Sequence, residues 1–270
     1  MVSSSKGKPR TWAQFKNINV KIDQKKILSD ININIKYGEN ILILGPNGSG
    51  KSTFLKLFNR SIYPIASKDS SLKLFNKADI NIWDLRKEIG FLFKDMEERV
   101  NKGVKLKDLI ISGFSGTYNS RYSKLLSKND INGINYLIKE LDLLDIINQD
   151  FCSSSDGQKR RALLARALVY KPNILILDEP FSNLDIKSNL LLTKTLQRLI
   201  DNSTNIIYVT HSLESILPKT NRVILIKDGK ILNDGKPDEL INTKILSCLF
   251  NTSIKVVKQD NYWRSIPLSS

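Results

Sequence analysis

Residues 45–53 read Gly45-Pro46-Asn47-Gly48-Ser49-Gly50-Lys51-Ser52-Thr53, and this stretch decides the fold. Its three glycines allow successive backbone N–H groups to curl around a phosphate without Cβ clashes. A short apolar run, 41–44, precedes it, and apolar residues at helical spacing follow over 54–58. The stretch therefore predicts a phosphate-binding loop that joins a buried strand to a helix whose N-terminus faces the anion.

The loop also carries the residue types that hold a magnesium–nucleotide complex. Lys51 is predicted to reach the β- and γ-phosphates as a point charge, and the Ser52 hydroxyl to bind Mg²⁺. Thr53 is placed near the α-phosphate by the same spacing. A nine-residue match in a strand–loop–helix context predicts binding of a nucleoside triphosphate with Mg²⁺.

The rest of the chain shows the periodicity of an α/β protein. Apolar residues alternate with polar ones over 18–22 and over 31–35, which predicts two antiparallel, half-buried strands around a polar turn. Continuous apolar runs at 174–177, 206–209 and 223–226 predict buried strands of a central sheet. Between residues 102 and 150 the pattern becomes helical, with a cap predicted at Asp130 and a loop over 113–129.

An acidic pair, Asp178 and Glu179, directly follows the apolar run 174–177. In open α/β sheets, ligands bind at the carboxyl ends of the strands. Asp178 is predicted to hold Mg²⁺ through water, and Glu179 to polarise the water that attacks the γ-phosphate. The alternative is a purely structural pair, and the upstream phosphate loop favours the functional interpretation.

The order of the motifs over about residues 15–240 resembles the nucleotide-binding subunit of ABC (ATP-binding cassette) proteins. Residues 154–158, Ser-Ser-Asp-Gly-Gln, followed by Lys-Arg-Arg, resemble the family signature, with Ser154 in place of leucine and Asp156 in place of glycine. Residues 180–185, Pro-Phe-Ser-Asn-Leu-Asp, resemble the D-loop, and Val-Thr-His at 209–211 resembles the switch.

This resemblance implies ATP as the nucleotide, hydrolysis as the reaction and a head-to-tail homodimer that sandwiches two ATP molecules. The helix expected to start near Gln158 would present Ser155 and the Gly157 amide to the γ-phosphate held by the opposite subunit. Asp185 would belong to the same shared site. His211, the single histidine of the sequence, would sense the γ-phosphate and orient the attacking water.

The implied architecture is a P-loop NTPase (RecA-like) α/β core with an antiparallel β-subdomain and an inserted helical subdomain. The predicted boundaries are 12–250 for the nucleotide-binding domain and about 101–151 for the helical subdomain, with an irregular tail over 251–270. A weaker resemblance, carried by Leu-Ile-Ile-Ser-Gly-Phe at 109–114, is to stand-alone cassettes likened to molybdate-transport subunits.

Two positions depart from the family pattern. Lys94 stands where the family usually has a magnesium-binding glutamine, and an ammonium group cannot coordinate a cation, so Asp95 is a candidate substitute. Ile22 stands where an aromatic ring usually stacks on adenine, which leaves aliphatic contact, Phe15 or Trp12 as alternatives.

Composition and charge bear on partners and location. No apolar run approaches the roughly 18 residues of a membrane-spanning helix. This predicts a cytoplasmic ATPase subunit, either free or peripheral at the inner face of the membrane, with a separate transmembrane permease. The two cysteines have no metal-ligand spacing, so reduced thiols are expected. The formal charge of +15 is dispersed over scattered lysines. A soluble regulator or assembly factor acting on nucleic acid or a protein complex is therefore the less favoured alternative.

Overall fold

The computed structural model describes residues 10–119 and 126–267 of the 270-residue chain. The strands are β1 (Thr11–Ile22), β2 (Lys25–Lys36), β3 (Ile41–Leu44), β4 (Ser71–Leu74), β5 (Ile89–Leu92), β6 (Ile174–Asp178), β7 (Asn205–Val209), β8 (Arg222–Lys227), β9 (Lys230–Gly235), β10 (Ile254–Gln259) and β11 (Tyr262–Pro267). The α-helices are α1 (Lys51–Phe58), α2 (Ile82–Glu88), α3 (Leu106–Ile111), α4 (Lys128–Glu140), α5 (Asp156–Leu168), α6 (Ile186–Asp201), α7 (Pro237–Leu240) and α8 (Thr243–Phe250). The predicted α/β class is confirmed.

The described residues divide into two compact units. The first contains residues 10–82, 211–216 and 220–267, and the second contains 83–119, 126–210 and 217–219. None of the helices in the described ranges is long and apolar enough to cross a membrane.

In the first unit, the period-two pattern produces the predicted antiparallel pair. Strands β1 and β2 pair in antiparallel register, with Phe15 opposite Ile33 and Ile18 opposite Ile31, and β4 pairs with the other edge of β1. The fully buried β3 runs parallel to β8, which pairs antiparallel with β9. The apolar run at 41–44 is thus a fully buried strand that leads directly into the phosphate loop.

An aromatic cluster joins β1 to the helix behind the phosphate loop. The ring of Phe58 lies 4.9 Å from that of Phe15, 5.5 Å from Phe54 and 5.7 Å from Trp12, measured between centroids. Trp12 and Phe15 are only 1% and 3% exposed. The suggestion that one of them stacks on the base is therefore wrong, because both rings are used in the core.

In the second unit, three parallel strands carry the continuous apolar runs. Strand β6 lies between β5 and β7, with Ile174 opposite Ile89 on one side and Asn205 on the other. All residues of β6 and β7 are buried, as predicted from their unbroken apolar sequence. Gly90 lets α5 approach the sheet, since a Cβ there would lie 2.6 Å from the carbonyl oxygen of Ala167.

Helices α3 and α4 lie in the range 101–151, for which the sequence predicts a helical subdomain. The N-cap of α4 is Ser127 rather than Asp130. The two residues form a capping box, in which the Asp130 amide donates to Ser127 Oγ at 3.1 Å and the Ser127 amide donates to Asp130 Oδ2 at 3.0 Å. The predicted loop over 113–129 includes residues 120–125, which lie outside the described ranges.

The prediction of an irregular tail over 251–270 is wrong for the described residues. Strands β10 and β11 form an antiparallel hairpin with Val256 opposite Ser265. Its two-residue turn, Asp260-Asn261, has φ angles of 49° and 65°, which Asp and Asn tolerate better than most residues and which match the strand twist. Trp263 is buried, and Lys258 Nζ lies 4.8 Å from its ring centroid. Residues 268–270 lie outside the described ranges.

We expect Phe58→Ala to lower the free energy of unfolding by about 3–5 kcal/mol, because it empties the centre of the aromatic cluster. Tyr63→Ala is the matched control, since Tyr63 is 69% exposed and its loss should change stability by less than about 0.5 kcal/mol. Urea unfolding followed by circular dichroism measures both values. Equal effects of the two substitutions would contradict the central role of this cluster.

Candidate nucleotide-binding site

The residues predicted for the site are divided between the two units. The phosphate loop, 45–53, and His211 belong to the first unit. The acidic pair, the signature segment 154–158 and Asp185 belong to the second. The geometry is therefore established separately within each unit.

The phosphate loop has the backbone that its glycines predict. Gly48 and Gly50 have φ angles of 77° and 98°, in the left-handed region that glycine adopts without Cβ strain. A Cβ built on Gly45 would overlap the carbonyl oxygen of Ile226 in β8, so only glycine fits there. Gly50 precedes α1 as its N-cap, and it places the N-terminus of that helix at the loop.

Lys51 is buried inside its own loop. Its side-chain Nζ donates hydrogen bonds to the carbonyl oxygens of Gly45 at 2.9 Å and Pro46 at 2.7 Å, and the residue is only 6% exposed. These contacts hold the ammonium group where the loop curls, while Asn47 and Gly48 at the loop tip are exposed. A positive charge fixed at a helix N-terminus is the arrangement that binds phosphate.

Two further features of the loop suit the predicted MgATP complex. The hydroxyl of Ser49 is buried and has no hydrogen-bond partner within the described residues. No side chain of the described chain caps the N-terminus of α1, so its first turn remains available to an anion. Ser52 is exposed at this turn, where its hydroxyl can serve as a ligand to magnesium.

The acidic pair ends β6 with an unusual backbone. Asp178 is the last residue of the strand and is 5% exposed. Glu179 has a φ of 48°, and its amide donates to the carbonyl oxygen of Val209 at 3.1 Å. The carbonyl of Glu179 accepts from the amide and hydroxyl of Ser182 at 3.2 and 3.0 Å. A left-handed non-glycine residue carries backbone strain, and these three hydrogen bonds hold Glu179 in that conformation.

The signature segment forms the start of α5. This helix begins at Asp156, two residues earlier than predicted, with Ser155 as its N-cap. The Gln158 amide donates to Ser155 Oγ at 3.4 Å, and the Ser155 amide donates to Gln158 Oε1 at 2.9 Å. Ser154 is buried and its hydroxyl donates to the carbonyl oxygen of Asp150 at 3.0 Å, which explains how a polar residue fits at this position.

Gly157 packs against the helix that follows the D-loop. A Cβ on Gly157 would lie 2.8 Å from the Cβ of Ser188 and would overlap its hydroxyl. Asp185 is the N-cap of α6, and its Oδ1 accepts from the Ser188 amide at 2.7 Å. The hydrogen bonds from Ser188 hold the pKa of Asp185 below its usual range. The structure thus brings the signature and the D-loop residue together through Ser188.

Arg160 is a candidate site residue that the sequence reasoning missed. It is 4% exposed, and its Nη2 lies 3.2 Å from Oε1 of Glu97. Burial lowers the pKa of Arg160, whereas Glu97, Asp156 and the acidic pair Asp178 and Glu179 raise it, so this cation lies within electrostatic reach of the pair. The sequence does contain a signal for the burial of Arg160, because helical spacing from Gly157 to Leu164 places residue 160 on the buried face of α5.

The positions that depart from the family pattern are exposed. Lys94 begins a 3₁₀ helix, Lys94–Arg99, and is exposed to solvent. Asp95, suggested as a substitute ligand, accepts a hydrogen bond from Arg99 Nη2 at 2.7 Å. Ile22 is 39% exposed at the end of β1. His211 is also exposed, and a 3₁₀ turn, Leu213–Ser215, follows it closely.

We expect Gly157→Ala to lower the free energy of unfolding by about 1–3 kcal/mol, because the new methyl group overlaps Ser188. Ser188→Gly should remove this cost in the double variant, and a double-mutant cycle by urea unfolding measures the coupling. Gly133→Ala in α4 is the control: its Cβ meets only Lys171 Cε at 3.6 Å, so helix propensity should stabilise by up to about 1 kcal/mol. Gly157→Ala behaving like this control would contradict the contact.

Comparison with known proteins agrees with this geometry. The family model described as ABC transporter matches residues 28–182. The uncharacterized ABC transporter ATP-binding protein YmeB of Lactococcus lactis is 31% identical over 261 residues, covering 95% of this chain and 99% of that protein. The petrobactin import ATP-binding protein YclP of Bacillus subtilis is 28% identical over 252 residues, covering 92% and 96%.

Solved structures show the same relationship. The cbiO1 protein of Clostridium perfringens, part of the ABC transporter complex cbiONQ, superposes with a TM-score of 0.71 at 27% identity and covers 88% of this chain and 93% of that one. The cassette MJ0796, solved as a dimer in a post-hydrolysis state with ADP and Pi, gives 0.68 at 26% identity and covers 83% and 98%. The chain therefore belongs to the ABC transporter ATP-binding family, and it is a transporter subunit that binds ATP with Mg²⁺ and hydrolyses it.

Proposed function

We propose that this subunit works as one half of a nucleotide-sandwich dimer formed by two copies of the chain, and that it drives a separate membrane subunit. The observation that carries the proposal is the closed phosphate loop, in which Lys51 is buried and held by two loop carbonyls. The two contacts of Lys51 fix its charge at the phosphate loop, and such preorganisation reduces the conformational entropy lost on binding.

Residues 45–53 would hold the phosphates of ATP, with Ser52 and Asp178 holding Mg²⁺. Mg²⁺ usually keeps waters and phosphate oxygens as ligands, so one hydroxyl as a direct ligand and one carboxylate acting through water are sufficient. When bound, MgATP supplies a γ-phosphoryl group whose charge the metal offsets. Glu179 would accept a proton from the attacking water, and His211 would orient that water.

The signature segment would complete the site of the opposite copy. Ser155 and Gln158 form the cap of α5, and the Gly157 amide lies in its first turn, where the helix dipole favours an anion. Asp185 caps α6 beside them. The γ-phosphate would make these contacts only in a closed dimer, which supplies the differential affinity that closure and reopening require.

The names of the relatives support transport over the rival role as a soluble regulator. YclP is named for petrobactin import, and a relative from Pectobacterium atrosepticum is named for sulfate and thiosulfate import. Because these cargoes differ, the similarity supports the coupling role without choosing a substrate, and the molybdate-type resemblance stays a prediction. We place the nucleotide-binding domain at residues 12–250, its helical subdomain at about 101–151, and the subunit at the inner face of the membrane.

We expect Glu179→Gln to lower ATP turnover about 10²- to 10⁴-fold, the range typical of losing a positioned base, while ATP still binds. The trapped nucleotide should shift the chain to a dimer on size exclusion with light scattering. Lys51→Ala should abolish ATP binding, measured with a fluorescent ATP analogue, because it removes the buried charge at the phosphates.

Two charge-matched controls accompany these variants. Lys56→Ala removes the same charge from the same helix, and Glu98→Gln neutralises an exposed carboxylate of the 3₁₀ helix, Lys94–Arg99. Both controls should keep ATP binding and turnover within about twofold, as surface changes usually do. Normal turnover by Glu179→Gln, or ATP binding by Lys51→Ala, would refute the assigned roles.

A further inference from the structure

The C-terminal hairpin, β10 and β11, is hydrogen-bonded to the switch segment, residues 211–216. The amide of Ser265 in β11 donates to Oε1 of Glu214 at 3.1 Å. The hydroxyl of Ser212 donates to Oε2 of the same carboxylate at 2.8 Å. Glu214 thus connects the hairpin to the residue adjacent to His211, and all of these groups belong to one unit.

The carboxylate of Glu214 is ionised at neutral pH. Partial burial raises its pKa, but the hydrogen bonds from Ser212 and Ser265 outweigh this effect and leave the pKa below its ordinary value. The two contacts are therefore charge-assisted, and such bonds are roughly twice as strong as neutral ones. They fix a 3₁₀ turn, Leu213–Ser215, that starts two residues after His211.

One rung of the hairpin, the cross-strand pair Ser265–Val256, is hydrogen-bonded to groups outside the hairpin on both sides. Val256 is its partner in register, and the Val256 amide donates to Thr243 Oγ1 of α8 at 2.9 Å. Both amides of this rung therefore point away from the hairpin ladder, one toward α8 and one toward Glu214. The bond from Ser265 is consequently separable from the bonds that hold the two strands together.

Helix α8 extends this connection toward the phosphate loop. Lys227, the last residue of β8, donates from Nζ to the carbonyl oxygen of Cys248 and to Asn251 Oδ1, each at 2.9 Å. The preceding residue, Ile226, is the one whose carbonyl lies against Gly45. The module formed by α8 and the hairpin, residues 243–267, therefore contacts the strand beside the phosphate loop at one end and the switch segment at the other.

We propose that the C-terminal hairpin is a positioning element for ATP hydrolysis, which holds the switch segment through the Ser265–Glu214 bond and so sets the direction of His211. The inference rests on the role proposed above for His211. The backbone of His211 leads into the turn that Glu214 fixes, so the position of that turn affects the direction of the imidazole. Ser265 and Glu214 are positioning residues and do not touch ATP.

The test compares two proline variants of the full chain. Ser265→Pro removes the donor to Glu214, and Val256→Pro removes the donor to Thr243 on the same rung; neither amide belongs to the ladder, so a strand tolerates both changes. We expect Ser265→Pro to lower kcat at least about fivefold with KM for ATP within about twofold, since misdirected catalytic groups cost rate rather than binding. Val256→Pro should leave kcat within about twofold of the parent.

Two further variants and one structural readout complete the design. Glu214→Ala should reproduce the loss of kcat, and Glu214→Gln should restore part of it, because its amide oxygen can still accept from Ser265. Hydrogen exchange of the nucleotide-free protein should show lost protection at residues 211–216 in Ser265→Pro and Glu214→Ala, but not in Val256→Pro.

The possible outcomes separate this inference from the proposed function. Unchanged kcat in Ser265→Pro, or an equal loss in Val256→Pro, would overturn the positioning role while leaving the ATPase assignment intact. His211→Ala serves as the reference variant. If it hydrolyses ATP at the parental rate, the proposed role of His211 is wrong and the hairpin inference falls with it. If its turnover is lost and Ser265→Pro shows the kcat defect with lost protection, the inference stands.

Discussion

The structure of the first unit depends on one steric constraint, the backbone-to-backbone packing of the phosphate loop against its neighbours. At Gly45 the loop leaves no room for a Cβ because the carbonyl of Ile226 occupies that space. At Gly229, in the turn between β8 and β9, an added Cβ would likewise overlap the carbonyl oxygen of Ile27, and the Gly229 amide donates to the carbonyl oxygen of Ser49 at 3.1 Å. The loop shape is therefore fixed by β2 and β8 as much as by its own residues, and Lys51 is buried within it.

The two units compensate a buried positive charge in different ways. Lys51 is satisfied by loop carbonyls that a phosphate can replace as acceptors. Arg160 is compensated by Glu97, yet its Nε and Nη1 have no hydrogen-bond partner within the described residues. Leaving donors of a buried cation unsatisfied costs stability, so such an arrangement is retained only where the charge serves another purpose. Asp178 and Glu179 contribute to the electrostatic environment of Arg160, since both raise the pKa of its guanidinium against the lowering effect of burial.

The amino-acid sequence was sufficient to predict the structural features whose signal is local. The glycine spacing predicted the phosphate loop, and the unbroken apolar runs predicted β3, β6 and β7, because a covered strand needs no polar alternation. The sequence did not predict the features that tertiary contacts determine. The Asp260-Asn261 turn signal is present in the sequence, but the pairing of the flanking strands is not visible there, so the sequence predicts an irregular tail. The left-handed backbone of Glu179 depends on bonds to Val209 and Ser182, and neither bond leaves a trace in composition or periodicity.

The chemistry of the hairpin contact suits a segment that has to respond to ATP. The connection through Glu214 is polar, and it consists of hydrogen bonds to one exposed carboxylate. These bonds are charge-assisted, yet water can replace them at this exposed position, so their loss and recovery cost a small fraction of the binding free energy of a nucleotide. Directional hydrogen bonds can nevertheless fix orientation within a narrow range. The hairpin can therefore direct His211 without locking the segment that carries it, which a hydrolytic cycle of closing and reopening requires.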